Sequence, residues 1–273
     1  MTYDGKAVFF DMDGVLYRGT TGLPYAGESV SWARSKGIRP AFITNNSTRT
    51  PQTFKERLAG FGIDAALDEI MTSAIATAEY IRTHYGAGGK AFCIGLEGIS
   101  EAIAAVGITA VSLDDCSKCD YVIVGMSPDF DYKQLVRAQQ EILINGAKLI
   151  GTNPDRTYPW NDGTVRPGGG TLLIAVVACT DAKPIMIGKP ELYMVELLAK
   201  RFNVSPTDCL MVGDKLGTDI LMGNRFGMHT LLVLTGISTR EEADSAVGEF
   251  EAEFILDDLS GFPEVVQKLW GSS

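Results

Sequence analysis

Hydrophobic and polar positions alternate along this chain in blocks rather than residue by residue. Residues 7–10 are a short apolar run that gives way at once to polar residues and Gly14. That is the pattern of a parallel strand buried on both faces and ending at a loop. Residues 28–35 follow helical spacing until Gly37, and residues 40–43 form a second apolar run. Residues 50–58 read as a helix with Pro51 in its first turn. A third helix over 72–85 closes on Gly86-Ala87-Gly88-Gly89, the best linker in the chain.

The alternation then restarts. Strands are expected at 91–94, 121–124 and 148–150, with helices from Glu97 and Tyr132 between them. The stretch 151–170, rich in Pro and Gly, reads as a long loop; Gly168 to Gly170 could cradle a phosphate but read better as a flexible hinge before a helix over 172–179. A final series begins at Pro184: strands at 185–187, 209–212, 230–234 and 254–256, helices at 191–202, 220–226 and 262–270. Such repetition predicts an α/β fold with a doubly wound parallel sheet. Residues 1–85 and 183–273 would form that core, and 86–182 an inserted second α/β unit.

Composition narrows the classes. The chain has 273 residues, 45% of them hydrophobic and 21% charged, enough for a substantial core. Lys plus Arg number 24 against 34 Asp plus Glu, a net charge of −10. An acidic surface lacks the broad positive field that a nucleic acid polymer or an anionic membrane requires. The longest apolar run, 172–179, is far short of a membrane span, and the polar first residues lack a signal-peptide layout. Five scattered cysteines read as reduced thiols, so a cytoplasmic location is expected. Cys116 and Cys119 form a lone CxxC with no second pair, and His84 and His229 lie far away in sequence. They read as ordinary thiols in a polar loop.

In open α/β sheets, ligands bind beyond the carboxyl ends of the strands. After Phe10 come Asp11, Asp13 and Gly14; after Ile43 come Thr44 and Asn45. After Ile187 comes Lys189, and after Val212 come Asp214 and Asp219. Each group alone has an ordinary role in a turn, a helix cap or a solvated charge. Together they make a site: Asp11 a nucleophile held at a strand tip, Asp13 a carboxyl able to give and take a proton. Thr44 and Asn45 offer a hydroxyl, an amide and backbone N–H groups to an anion. Four carboxyl groups around a phosphoryl group repel by about 4 kcal/mol per contact near 4 Å at an effective dielectric of 20. One Lys cannot balance them, so a divalent cation is required, and the hard oxygen donors favour Mg2+.

The motifs DMDGVL at Asp11, ITNNS at Thr44, GKP at Lys189 and GDKLGTD at Asp214, in this order, resemble the haloacid dehalogenase (HAD) superfamily of phosphatases. Their spacing is similar to the branch with a large α/β cap, which holds NagD-like nucleotidases, 4-nitrophenylphosphatases and phosphoglycolate phosphatases. The resemblance implies a HAD-type Rossmann-like core with residues 86–182 as a cap that sets specificity. It implies an Mg2+-dependent phosphatase of small phosphomonoesters (nucleotide, sugar phosphate or phosphoglycolate-like) that works through an aspartyl-phosphate on Asp11. Asp13 would protonate the leaving alcohol and then activate water. Asp11, Asp214 and the backbone carbonyl of Asp13 would ligate the metal, and Asp219 would sit next to the metal or its waters. Thr44, Asn45 and Lys189 would hold the phosphate. A phosphomutase or phosphotransferase is the same-chemistry alternative. The presence of Asp13 argues against dehalogenation, and the length and second acidic pair argue against a receiver-like domain. The expected partner is a small phosphorylated metabolite, with no membrane and no nucleic acid, and a homodimer through the cap is one arrangement seen in similar proteins. GTNPD at Gly151 falls within the cap, where Asn153, Asp155, Arg156, Tyr158 and Trp160 are candidates to touch a leaving group or simply to shape a turn.

Overall fold

The computed structural model describes residues 3–159 and 164–271. It divides into two compact units: Met1–Thr44, Phe54–Met71 and Val195–Ser273 in one, Asn45–Thr53 and Thr72–Met194 in the other. The first unit is organised on a six-stranded sheet in the order Phe254–Leu256, His229–Val233, Cys209–Gly213, Ala7–Asp11, Arg39–Thr44, Ile70–Thr72. Ala7–Asp11 lies near its centre, paired in parallel on one side with Cys209–Gly213 and on the other with Arg39–Thr44. All five of its residues are buried, as an uninterrupted apolar strand covered on both faces must be. Val8, Phe10, Phe42, Val212 and Leu231 meet Phe54, Leu58 and Phe262 in one hydrophobic cluster.

The second unit carries a five-stranded parallel sheet in the order Ile185–Met186, Lys148–Gly151, Tyr121–Val124, Lys90–Ile94, Thr109–Val111. Its cluster joins Phe92, Ile94, Val122, Val124 and Leu149 to Leu173 and Val176 of the helix Gly169–Thr180. The doubly wound α/β expectation therefore holds twice over. The boundaries expected at 86 and 182 both fall inside the second unit. The strand Ile185–Met186 pairs with Lys148–Gly151 rather than opening the core series, and the helix Ser73–Tyr85 also falls in the second unit.

Three local expectations change. The stretch 151–170 is not all loop, because Thr157–Pro159 pairs antiparallel with Val165–Pro167. Gly168 to Gly170 are not a free hinge. Gly170 N–H donates to the Asp155 carbonyl at 2.9 Å, and a Cβ at Gly170 would fall 2.3 Å from the Pro154 carbonyl oxygen. Cys116 and Cys119 lie in a loop as expected, but that loop is not polar throughout: Cys119 is buried in the hydrophobic cluster, its backbone N–H held by Glu141 at 2.8 Å. Among the described residues no helix is long and apolar enough to cross a membrane.

Candidate active site

The parallel register explains which chemistry gathers at the sheet edge. Phe10 stands opposite Val212, and Asp11 opposite Ile43. Asp11 therefore leaves the central strand level with Gly213, just before Asp214, and next to Thr44. Asp219 returns to the same edge because Leu216–Ile220 forms a π-helical turn, a wide turn often found at functional sites. Carboxylate oxygens of Asp11, Asp214 and Asp219 all lie within 4.8 Å of one another, and the three residues are only 7%, 3% and 1% exposed. Asp219 thus joins the acidic cluster itself.

Glycines make that crowding possible. A Cβ at Gly14 would fall 2.3 Å from Asp214 Oδ2, and one at Gly236 only 1.8 Å from it. At Gly213 a Cβ would lie 2.1 Å from the Asp219 Cβ. Gly14 also has φ +88°, which a side chain resists. Backbone donors steady the carboxylates: Ile237 N–H reaches Asp214 Oδ2 at 2.8 Å, and Lys215 N–H reaches Asp219 Oδ2 at 3.2 Å. Gly236 and Ile237 were missed by the sequence reading, although they follow the strand His229–Val233 and the same strand-end rule would have found them. A buried trio of carboxylates at this separation suits a hard divalent cation, since all three donors are oxygen and anionic.

Asp13 stands outside the trio, in the loop closed by the Met12 carbonyl accepting from Leu16 N–H at 2.9 Å. Solvent reaches it, yet the protein packed around it pushes its carboxyl above the usual range, with Arg57 and then Arg18 pulling the other way. A carboxyl that keeps its proton longer is suited to acid–base work. Arg57 is tethered to the Gly19 carbonyl and lies over the Tyr17 ring at 4.1 Å, while Arg18 is tethered to the Thr235 carbonyl. Neither arginine was singled out in the sequence.

Thr44 is buried at the end of its strand. Asn45 follows it, and its Nδ2 donates to Asp155 Oδ2 at 2.8 Å and to the Lys189 carbonyl at 3.0 Å. Lys189 is 3% exposed, so it is not a solvated surface charge. Of the other loop candidates Asn153 is buried, Arg156 is exposed, Tyr158 is half-buried and Trp160 lies outside the described residues. His84 stacks on Tyr80 with ring centroids 4.0 Å apart, and His229 pairs with Glu253 at 2.6 Å.

Residues 8–109 match the haloacid dehalogenase-like hydrolase family, and residues 186–262 match the HAD-hydrolase-like family. The chain is 35% identical over 239 residues to the acid sugar phosphatase of Staphylococcus saprophyticus, covering 88% of this chain and 90% of that one. The chain belongs to the HAD phosphatases. Within them it is NagD-like. NagD from E. coli superposes with a TM-score of 0.83 at 29% identity, over 95% of this chain and 98% of NagD. The p-nitrophenyl phosphatase of Archaeoglobus fulgidus gives 0.86 at 30%, over 96% and 99%. As a HAD phosphatase the chain is an enzyme; its phosphatase relatives act on small phosphorylated substrates, and the family generally uses a divalent metal.

Proposed function

We propose that this HAD phosphatase hydrolyses small phosphomonoesters, sugar phosphates first among them, with Mg2+ and through an aspartyl-phosphate on Asp11. The observation that carries the proposal is the convergence of Asp11, Asp214 and Asp219 at one sheet edge, beside a loop whose Asp13 carboxyl is pushed up. The acid sugar phosphatase relatives favour the sugar-phosphate class, and residues 86–182 would act as the cap that selects the leaving group.

Asp11 attacks phosphorus, so that its Oδ–P bond forms as the bond from phosphorus to the leaving oxygen breaks. Asp13 gives its proton to that oxygen and is left ionised. It then takes a proton from the incoming water, whose oxygen bonds to phosphorus while the Asp11 ester breaks, releasing inorganic phosphate and restoring both carboxyl groups. Lys189 and the N–H groups near Thr44 would balance the equatorial oxygens. Asp11 and Asp214, with the Asp13 carbonyl and Asp219 near by, would hold the ion. Bound magnesium supplies positive charge that lets an anionic nucleophile approach an anionic phosphate.

The test is phosphate release from a panel of sugar phosphates, nucleoside monophosphates, phosphoglycolate and nitrophenyl phosphate. Turnover should require Mg2+, stop with chelator and return on adding the ion, and Asp11→Asn should lose roughly a thousandfold or more. An Asp11→Asn variant with wild-type turnover, or phosphate passed to an alcohol instead of water, would overturn the proposal.

A further inference from the structure

GTNPD has no role in the chemistry above, yet it meets the ITNNS segment at two residues: Thr152 Oγ1 lies 3.2 Å from Ser47 Oγ, and Asn45 is bound more extensively. Asn45 makes four hydrogen bonds there. Its carbonyl accepts from Ser73 Oγ at 2.8 Å and from Asn153 Nδ2 at 2.9 Å, and its Nδ2 donates to Asp155 Oδ2 and to the Lys189 carbonyl. A carboxylate and a carbonyl can only accept, so the orientation of the amide is fixed and both of its hydrogens are committed. The remaining side-chain atom, Oδ1, is buried without a hydrogen-bond partner among the described residues. It is an acceptor and has nothing to offer an oxyanion.

With both hydrogens engaged within the fold, the Asn45 side-chain amide has none to spare for an anion, which leaves the main chain of this segment to meet one. Its surroundings are built to keep it in place. A Cβ at Gly188 would come 2.5 Å from Asn45 Oδ1 and 2.5 Å from the Thr152 carbonyl oxygen. Asp155 is itself held, its N–H reaching Asn153 Oδ1 at 3.2 Å and its carbonyl accepting from Gly170 N–H.

We infer that Asp155 is a positioning residue: by taking up the Asn45 amide it sets the Asn45 main chain, and through the Lys189 carbonyl the GKP turn, in the arrangement that receives the phosphoryl group. The inference rests on the proposed function and deepens it. Small displacements of groups that meet the transition state are costly, of the order of a hundredfold for about 1 Å.

The experiment compares wild type, Asp155→Ala and Asp155→Asn, reading kcat and KM with nitrophenyl phosphate and the inhibition constant of inorganic phosphate. Asp155→Ala should lower kcat/KM by roughly ten- to a hundredfold and weaken inhibition by phosphate in parallel. Asp155→Asn keeps an acceptor oxygen for Nδ2 and should stay within about twofold of wild type in both. If Asp155→Ala does not fold, Asp155→Ser, whose oxygen stops a bond short of Nδ2, takes its place with the same expected loss. Wild-type behaviour of the Ala or Ser variant overturns the inference, as does an Asn variant as impaired as Ala, which would mean that the charge and not the acceptor matters. A wild type that releases no phosphate from any ester overturns the proposed function and this inference together. An active wild type with an unaffected Ala variant overturns the inference alone.

Discussion

The two parallel sheets use glycine at their strand ends to make room for different neighbours. In the six-stranded sheet, Gly14, Gly213 and Gly236 surround carboxylates, and a Cβ at any of them would strike Asp214 or Asp219. In the five-stranded sheet a Cβ at Gly95 would meet Ile99 Cδ1 at 2.4 Å, and one at Gly151 would meet Leu173 Cδ2 at 2.5 Å. At these two strand ends the space is filled by hydrocarbon, whereas at Gly125 and Gly188 of the same sheet a Cβ would meet Ser47 Oγ and Asn45 Oδ1, each at 2.5 Å. One architecture thus yields an edge crowded with carboxylates in one sheet, and in the other an edge that is part hydrocarbon packing and part neutral polar contact. Function follows from what the strand ends carry rather than from the layout.

The sharpest way to break this contrast is an alanine at each kind of edge. Gly236→Ala puts a methyl group 1.8 Å from Asp214 Oδ2, so the carboxylate must leave its place. Turnover should fall roughly a thousandfold, comparable to losing a member of a catalytic set, and some stability should be lost with it, since the added group also lies 2.3 Å from the Asp214 Cβ. Gly151→Ala instead overpacks Leu173 and Met186, and should cost about 1–3 kcal/mol of stability with kcat nearly intact. Thermal unfolding and steady-state kinetics on both variants decide the matter, and a kinetic loss in Gly151→Ala equal to that in Gly236→Ala would erase the distinction.

A smaller effect sharpens the likeness that remains. Each unit holds one buried glutamate paired with arginine: Glu69 with Arg34 at 2.5 Å in the first, Glu141 with Arg137 at 2.9 Å in the second. Glu69 also takes the Ala66 N–H, and Glu141 the Cys119 N–H and Asn145 Nδ2. Removing either leaves a half-buried guanidinium without its carboxylate, at about 3 kcal/mol. Glu69→Ala and Glu141→Ala should therefore shift denaturant midpoints by similar amounts, and a change below about 1 kcal/mol in either would show that pair to be dispensable.

Much of the first edge was legible because a strand buried on both faces writes itself as an unbroken apolar run, and the polar residue that ends it is conspicuous. Asp11, Thr44 and Asp214 were found in that way. The edge strands were harder. Thr109–Val111 has two exposed residues of its three, and Ile70–Thr72 is only three residues long, so neither carries a period. The partner of Ile185–Met186 could not be read at all, since pairing with Lys148–Gly151 leaves no local trace. The same holds for Asn45 and Asp155, which meet across 110 positions of chain. Local pattern reveals which residues end a strand, and only the folded chain reveals which of them touch.

The smallest expected effect concerns the thiols, which treat the two sheets alike. Burial pushes Cys93, in the five-stranded sheet, up to about 12, and Cys209, at the start of a strand in the six-stranded sheet, up to about 12 as well. Cys119 is also raised, chiefly by burial, whereas its CxxC neighbour Cys116 is exposed. The thiolate is the reactive form, so a group at about 12 offers only about one molecule in ten thousand as thiolate at pH 8. A thiol reagent at that pH should label Cys116 first and leave Cys93, Cys119 and Cys209 until denaturant is added. Raising the pH should speed the slow thiols, because a raised pKa delays ionisation to more alkaline solution. Peptide mapping of the labelled protein checks the order. Equal labelling of Cys116 and Cys119 in the native protein, or a disulfide between them under mild oxidation, would instead give the CxxC a redox role.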